Sequence, residues 1–216
     1  MDHFFRDRAD AGCQLAQKLQ GYAGQQNVLV LALPRGGAPV GYALAQALHA
    51  PLDALIVRKL GAPRNPELAM GSLASGGIVY LNHSLLERLH VTEAQLDEAL
   101  AHERVELCRR ELAYRGARAP LEVSGKTVIV VDDGMATGAS MQAALQALRS
   151  QCFGKPAYIV ITVPVCPRGA EIQFKNIADE FVYLQQPNCF GGVGQFYANF
   201  DQTSDAQVRA CLATPT

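Results

Sequence analysis

Apolar residues along this chain gather into short dense runs separated by longer amphipathic stretches. Residues 28–33 (Val-Leu-Val-Leu-Ala-Leu), 52–57 (Leu-Asp-Ala-Leu-Ile-Val), 128–131 (Val-Ile-Val-Val) and 158–163 (Tyr-Ile-Val-Ile-Thr-Val) are apolar at almost every position rather than at every second one. Successive side chains of a strand point to opposite faces, so such runs suit strands covered on both sides. Between them, residues 38–49, 84–115 and 139–150 are rich in Ala, Leu, Gln, Glu and Arg and predict helices. Buried strands alternating with helices define an α/β fold class, with a mostly parallel sheet flanked by helices.

Helix starts are legible in the capping boxes Ser84-x-x-Glu87, Thr92-x-x-Gln95 and Ser204-x-x-Gln207, with Val91 and Leu96 spaced for a hydrophobic staple. The stretch 84–115 carries seven acids and five arginines, so most of it must be solvated or packed on another subunit. It reads as an inserted helical arm. Residues 68–74 and 78–81 are two extended runs joined by Ser75-Gly76-Gly77, which predicts a hairpin projecting from the sheet as a lid.

Composition narrows the function. The 19 Lys+Arg and 20 Asp+Glu leave a net charge of −1 with no block of like charge. A nucleic-acid or membrane-surface binder needs a basic footprint, so neither partner is expected. The acidic, interrupted start 1–8 does not read as a secretory signal, and no apolar run is long enough to span a bilayer. Six cysteines (13, 108, 152, 166, 189, 211) never approach CxxC spacing, which suits reduced thiols and a cytoplasmic location. The five histidines show no ligand spacing, so no protein-held metal is expected.

Chemistry concentrates at 128–140. A buried strand ends in Asp132 and Asp133, and Gly134, Met135, Ala136, Thr137 and Gly138 then lead into a helix starting near Ala139 and Ser140. Ligands of open α/β sheets bind at the carboxyl ends of strands. A helix N-terminus offers unpaired N–H groups and the positive end of its dipole, worth about 0.3 to 1 kcal/mol to a nearby anion. Gly138 allows close approach, and Thr137 and Ser140 add hydroxyls, which makes a cradle for a phosphate monoester. The two carboxylates would repel phosphate, but they suit sugar hydroxyls as hydrogen-bond acceptors. Together these groups describe a site for a sugar phosphate.

The segment resembles the type I phosphoribosyltransferase family, whose fingerprint is four apolar residues, two acids, a short step and Thr-Gly-x-Thr/Ser. The resemblance implies that Asp132 and Asp133 face the ribose hydroxyls of phosphoribosyl pyrophosphate and that 136–140 holds its 5-phosphate. It also implies a pyrophosphate loop at Arg35-Gly36-Gly37, after the first strand. Arg58 and Lys59, placed at the end of the second strand and the opening of the lid, become candidates to meet the leaving pyrophosphate, with Arg64 beyond them. The aromatic and Gly-rich stretch 185–200 becomes a hood over a planar base, whose identity no residue specifies.

The whole therefore reads as one domain over 1–216, with a core at about 22–165, a lid at 59–81, the arm at 84–115 and a hood at about 183–203. The expected activity is magnesium-assisted transfer of a phosphoribosyl group to a nitrogenous base or related acceptor, in nucleotide and nucleoside metabolism. Arg58, Lys59, Asp132 and Asp133 are the catalytic candidates, Mg2+ arrives with the substrate and touches Asp132 or Asp133 at most, and the protein is expected to be a homodimer. The alternative is a non-catalytic regulator that senses phosphoribosyl pyrophosphate with the same pocket.

Overall fold

The computed structural model describes residues 4–63, 65–116, 118–150 and 153–213. Along the chain run α1 (Arg8–Lys18), β1 (Val28–Ala32), α2 (Gly37–Leu48), β2 (Leu52–Ala54), β3 (Val57–Ala62), β4 (Asn65–Ala74), β5 (Ile78–Leu81), α3 (His83–Arg88) and α4 (Glu93–Arg115). After these come β6 (Thr127–Val131), α5 (Ala139–Arg149), β7 (Tyr158–Val165), β8 (Glu180–Gln185) and α6 (Asp205–Ala213). A five-stranded sheet has the order β2-β1-β6-β7-β8, and each neighbouring pair is parallel.

The unbroken apolar runs have the reason expected of them. Val28, Val30 and Ala32 of β1, with Ile129 and Val131 of β6, pack on one side against Leu15, Leu44, Leu48, Val208 and Leu212. Leu29, Leu31, Val128 and Val130 pack on the other side against Leu145, Leu148 and Phe174. Each face of the pleat thus meets its own helical layer. α2 closes on His49 in the left-handed region, φ 52°, and α5 begins at Ala139 as anticipated.

Four expectations change. The run 52–57 is not one strand: β2 stops at Ala54, and Val57 opens a separate antiparallel sheet β3-β4-β5. Between them Leu55 donates to Ala32 O and Ile56 to Ser75 Oγ, so the chain leaves the main sheet although both side chains are buried in its two cores. Arg58 and Lys59 consequently lie inside β3 and not at the end of a sheet strand. The arm is two helices, broken where His90 takes φ 51° and restarted by the complete Thr92 and Gln95 capping box. Ser84 is not a cap, because Asn82 accepts from the Leu85 amide and Ser84 Oγ donates to Asn82. The parallel sheet also runs beyond the expected 22–165 core, since β8 forms its last strand.

The hairpin itself stands, with β4 and β5 pairing from Gly71 opposite Leu81 to Ala74 opposite Ile78. Gly76 and Gly77 turn it at φ 78° and 77°, where a side chain would be strained. The small sheet packs between α4 and α5. It therefore borders the helix that starts at the phosphate loop.

Candidate functional site

β6 is buried along its whole length and delivers Asp132 and Asp133 to the carboxyl edge of the sheet. The next residues bend around a cavity of ≈ 200 Å³ lined by Asp132, 134–141 and Val193. Gly138 caps α5 with φ 76°. Among the described residues, the amides of Ala136, Thr137, Gly138 and Ser140 donate to no protein acceptor, while the Ala139 amide is 3.4 Å from Thr137 Oγ1. Several unpaired N–H groups converging at a helix start make an anion site.

The first loop meets the aspartates directly. A Cβ on Gly36 would lie 2.0 Å from Asp133 Oδ2, and one on Gly37 would lie 2.7 Å from Val131 O. Any side chain at either position would push the acidic pair aside. The sequence thus needed glycine at both places to bring 35–37 against 132–133. Arg35, however, turns away from the cavity, its Nη1 lying 3.8 Å from Asp205 Oδ1 of α6.

Asp133 has a partner that the motif did not announce. Arg8, at the start of α1, places Nε 2.7 Å from Asp133 Oδ2 and donates through Nη1 to Asp201 O at 2.7 Å. Its guanidinium stacks 3.9 Å above the Phe200 ring. Tyr197 donates from its hydroxyl to Asp133 O at 2.6 Å. The rings of the hood serve this packing and not an open base platform: Phe196 and Tyr197 are buried with Phe5, and Val193 is the hood residue that reaches the cavity.

The aspartates consequently differ. Asp132 borders the cavity, and its Oδ1 accepts from the Asp133 amide at 2.8 Å. Burial and then the charge of Asp133 push the Asp132 carboxyl well above the usual carboxylate range. Burial raises Asp133 too, but the Arg8 guanidinium pulls it back. Asp132 therefore stands ready for hydroxyl donors or a cation, whereas Asp133 is already engaged.

Strand register separates the two cations of β3. Arg58 pairs across the sheet with Leu73 and Lys59 with Ser72, so they occupy opposite faces. Arg58 is held by α4, Nε to Glu103 Oε2 at 2.6 Å. Lys59 shares its face with Ser72, which together with Tyr80 and Asn82 borders a cavity of ≈ 340 Å³ against Thr137, Gly138 and Ala139. Lys59 is thus on the loop side of the small sheet. Arg64 lies outside the described residues.

Sequence reading missed Arg8 altogether, and it gave Tyr197, Phe200 and Asp201 to a hood over the base and not to the contacts around Asp133 and Arg8. One signal could have found the first: Asp7 accepts from the Asp10 amide as the N-cap of α1, which puts Arg8 at the first helical position. Nothing local marked the others, because their roles depend on contacts between distant segments.

An open parallel sheet whose strand ends in two acids, followed by an amide-lined loop and a helix, defines an α/β protein with an anion-binding loop at the carboxyl edge of its sheet. The chain matches the phosphoribosyl transferase domain model over residues 6–200 and belongs to that family. It is 44% identical over 208 residues to a provisionally named phosphoribosyl transferase of Mycobacterium tuberculosis, covering 96% of this chain and 46% of that protein. The chain therefore spans about half the length of the Mycobacterium tuberculosis relatives it matches. A bifunctional protein PyrR of a Roseiflexus species is 32% identical over 136 residues, 55% of this chain and 69% of its own. Among solved structures, TT1426 from Thermus thermophilus superposes with a TM-score of 0.81 at 39% identity, covering 96% of this chain and 97% of its own.

Proposed function

We propose that the chain transfers the 5-phosphoribosyl group of phosphoribosyl pyrophosphate to a nitrogenous base or related acceptor and releases pyrophosphate. The observation that carries this reading is the ≈ 200 Å³ cavity in which Asp132 stands beside the loop from Gly134 into α5, where the Ala136, Thr137, Gly138 and Ser140 amides have no acceptor among the described residues. In the reading, Ala136, Thr137, Gly138, Ala139 and Ser140 hold the 5-phosphate, and Asp132 accepts from the ribose hydroxyls. Gly36 and Gly37 let the diphosphate approach backbone, and Lys59 meets it from the small sheet. Displacement at C1 builds positive charge on the ribose and negative charge on the leaving group, so Lys59 acts where negative charge develops, and Asp132, once it gives up the proton that burial favours, acts beside the ribose. Arg35 would exchange Asp205 for the diphosphate. Asp205 itself is well supplied, since Arg109 and Tyr114 also bind it.

Among the described residues no group of three or more His, Cys, Asp or Glu is placed to hold a metal ion. The donor set that is present, a desolvated Asp132 carboxylate with its neighbour occupied by Arg8, suits magnesium that enters as the salt of the diphosphate. Such an ion brings most of its oxygen ligands with it and neutralises the leaving group. Among the described cysteines, 13, 108, 166, 189 and 211 are free thiols, which suits a reducing, cytoplasmic setting.

A second reading is favoured by one observation, the engagement of Asp133 by Arg8 in the free chain. If ligand binding must break that pair, the pocket could report phosphoribosyl pyrophosphate without turning it over. Incubating the protein with phosphoribosyl pyrophosphate, magnesium and a panel of bases while following pyrophosphate release decides between them. Base-dependent release supports the transferase; tight binding of the donor with no release supports the sensor. Absence of donor binding removes both.

A further inference from the structure

Helix α4 has two apolar faces. Leu100, Leu107 and Tyr114 point inward and are buried. On the far side Val105 and Leu112 are 73% and 74% exposed, and exposed Ala101 and Cys108 complete the row. Steps of four, three and four residues are the spacing of a coiled-coil seam. One exposed apolar residue needs no explanation, but a row of heptad period does. It is the surface a helix offers to another helix.

Charge beside the seam indicates which helix. Arg104 and Glu111 lie one heptad apart on the same flank, and neither has an ion-pair partner among the described residues. Two copies of α4 laid antiparallel, about a two-fold axis between Val105 and Cys108, bring Arg104 of each copy to Glu111 of the other. Symmetry makes the pair twice. A parallel arrangement would instead set Arg104 against Arg109 of the second copy. The opposite flank carries His102 and Arg109, and Arg109 is already neutralised by Glu106 and Asp205.

We propose that the exposed face of α4 is the interface of a homodimer in which two α4 helices pack antiparallel through Ala101, Val105, Cys108 and Leu112. The proposal gives the helical arm a task, and it does not rest on the phosphoribosyl reading. The same helix holds Arg58 of the small sheet through Glu103 on its other side. Pairing α4 therefore also steadies the element that packs on the lid.

Sedimentation velocity of the whole chain across a dilution series tests it. The wild type is expected to sediment as two chains at high concentration, and Val105→Glu with Leu112→Glu as one chain with an unchanged circular dichroism spectrum. Both substituted side chains are already in solvent, so folding should not suffer. Arg104→Glu should raise the dimer Kd roughly tenfold, since it creates two repulsive contacts, and adding Glu111→Arg should restore it. A wild type that stays monomeric throughout overturns the proposal. So does a dimer that survives Val105→Glu with Leu112→Glu, which would place the interface elsewhere, or a charge reversal that Glu111→Arg does not rescue.

Discussion

Arg8 and Asp133 are joined Nε to Oδ2 at 2.7 Å across 125 positions of the chain, with their side chains only 12% and 15% exposed. This single contact ties α1, the hood and the second acid of the motif into one unit. A largely buried pair is held in place by the cost of leaving either partner alone. Arg8→Met should therefore destabilise the fold by about 3 kcal/mol, as expected when a buried ion pair loses one member. Adding Asp133→Asn should recover much of the loss. Urea unfolding of the two single variants and the double variant gives the coupling, and additive losses would mean that the pair does not act as a unit.

The contact also shows what the sequence carried and what it did not. The buried strands, the lid hairpin and the loop from Asp132 to Ser140 were legible because each rests on local signals: apolar runs, glycines at positive φ, and a helix start. The break inside the arm was not read, although the Thr92 capping box stood in the middle of the stretch taken as one helix. The end of β2 was hidden because Leu55 and Ile56 keep the apolar pattern of a strand while their amides go elsewhere. Strand β8 escaped because all its positions are only half-buried at the sheet edge, and it never forms a dense apolar run. Arg8 escaped for the plainest reason, being a charged residue in the first turn of a helix far from any motif.

The raised Asp132 carboxyl has a consequence for stability. Its pKa is higher in the folded chain than the ordinary carboxylate value near ~3.9, so over the range above that value the folded state binds more protons than the unfolded one. Stability then falls as pH rises through that range. Asp132→Asn cannot ionise, yet it keeps an oxygen for the Asp133 amide. Its unfolding midpoint should exceed that of the wild type at neutral pH, and the two should converge in acid. A constant gap at every pH would contradict the burial of that charge.

Ligand binding should distinguish the two aspartates. Asp132 borders the cavity and Asp133 is turned onto Arg8. A hydrogen bond to a charged group is worth about 1.5 to 3 kcal/mol, so Asp132→Asn should weaken phosphoribosyl pyrophosphate by that amount and Asp133→Asn by less. The double variant should lose the donor while remaining folded. Calorimetric titration reads all three, and unchanged affinity in the folded double variant would remove the ribose assignment.

Register makes Lys59 the better candidate for the leaving group. Lys59→Ala should lower kcat more than donor affinity, because it removes a charge needed most in the transition state. Arg58→Ala should chiefly loosen α4 by freeing Glu103, which hydrogen exchange along 93–115 would report. If Arg58→Ala proves the more damaging to kcat with α4 undisturbed, the two roles must be exchanged.

Gly138 and Thr137 separate the fold of the loop from its chemistry. The sequence alone suggests that a side chain at Gly138 would obstruct the phosphate, but the geometry gives another reason for glycine there. A Cβ would meet Gln173 Nε2 at 2.8 Å and Phe174 Cζ at 2.9 Å, and the φ of 76° is itself strained for other residues. The obstruction falls on the protein and not on the cavity. Gly138→Ala should accordingly cost roughly 1 to 3 kcal/mol of stability and weaken ligands as the start of α5 shifts. Thr137→Ala removes an exposed hydroxyl that is 3.4 Å from the Ala139 amide. Its melting temperature should stay near the wild-type value while affinity for ribose 5-phosphate drops by about 1 kcal/mol, one neutral hydrogen bond. Calorimetry beside thermal unfolding resolves both effects, and a Gly138→Ala variant with normal stability and normal ligand affinity would show that α5 does not need its present start to make the phosphate site.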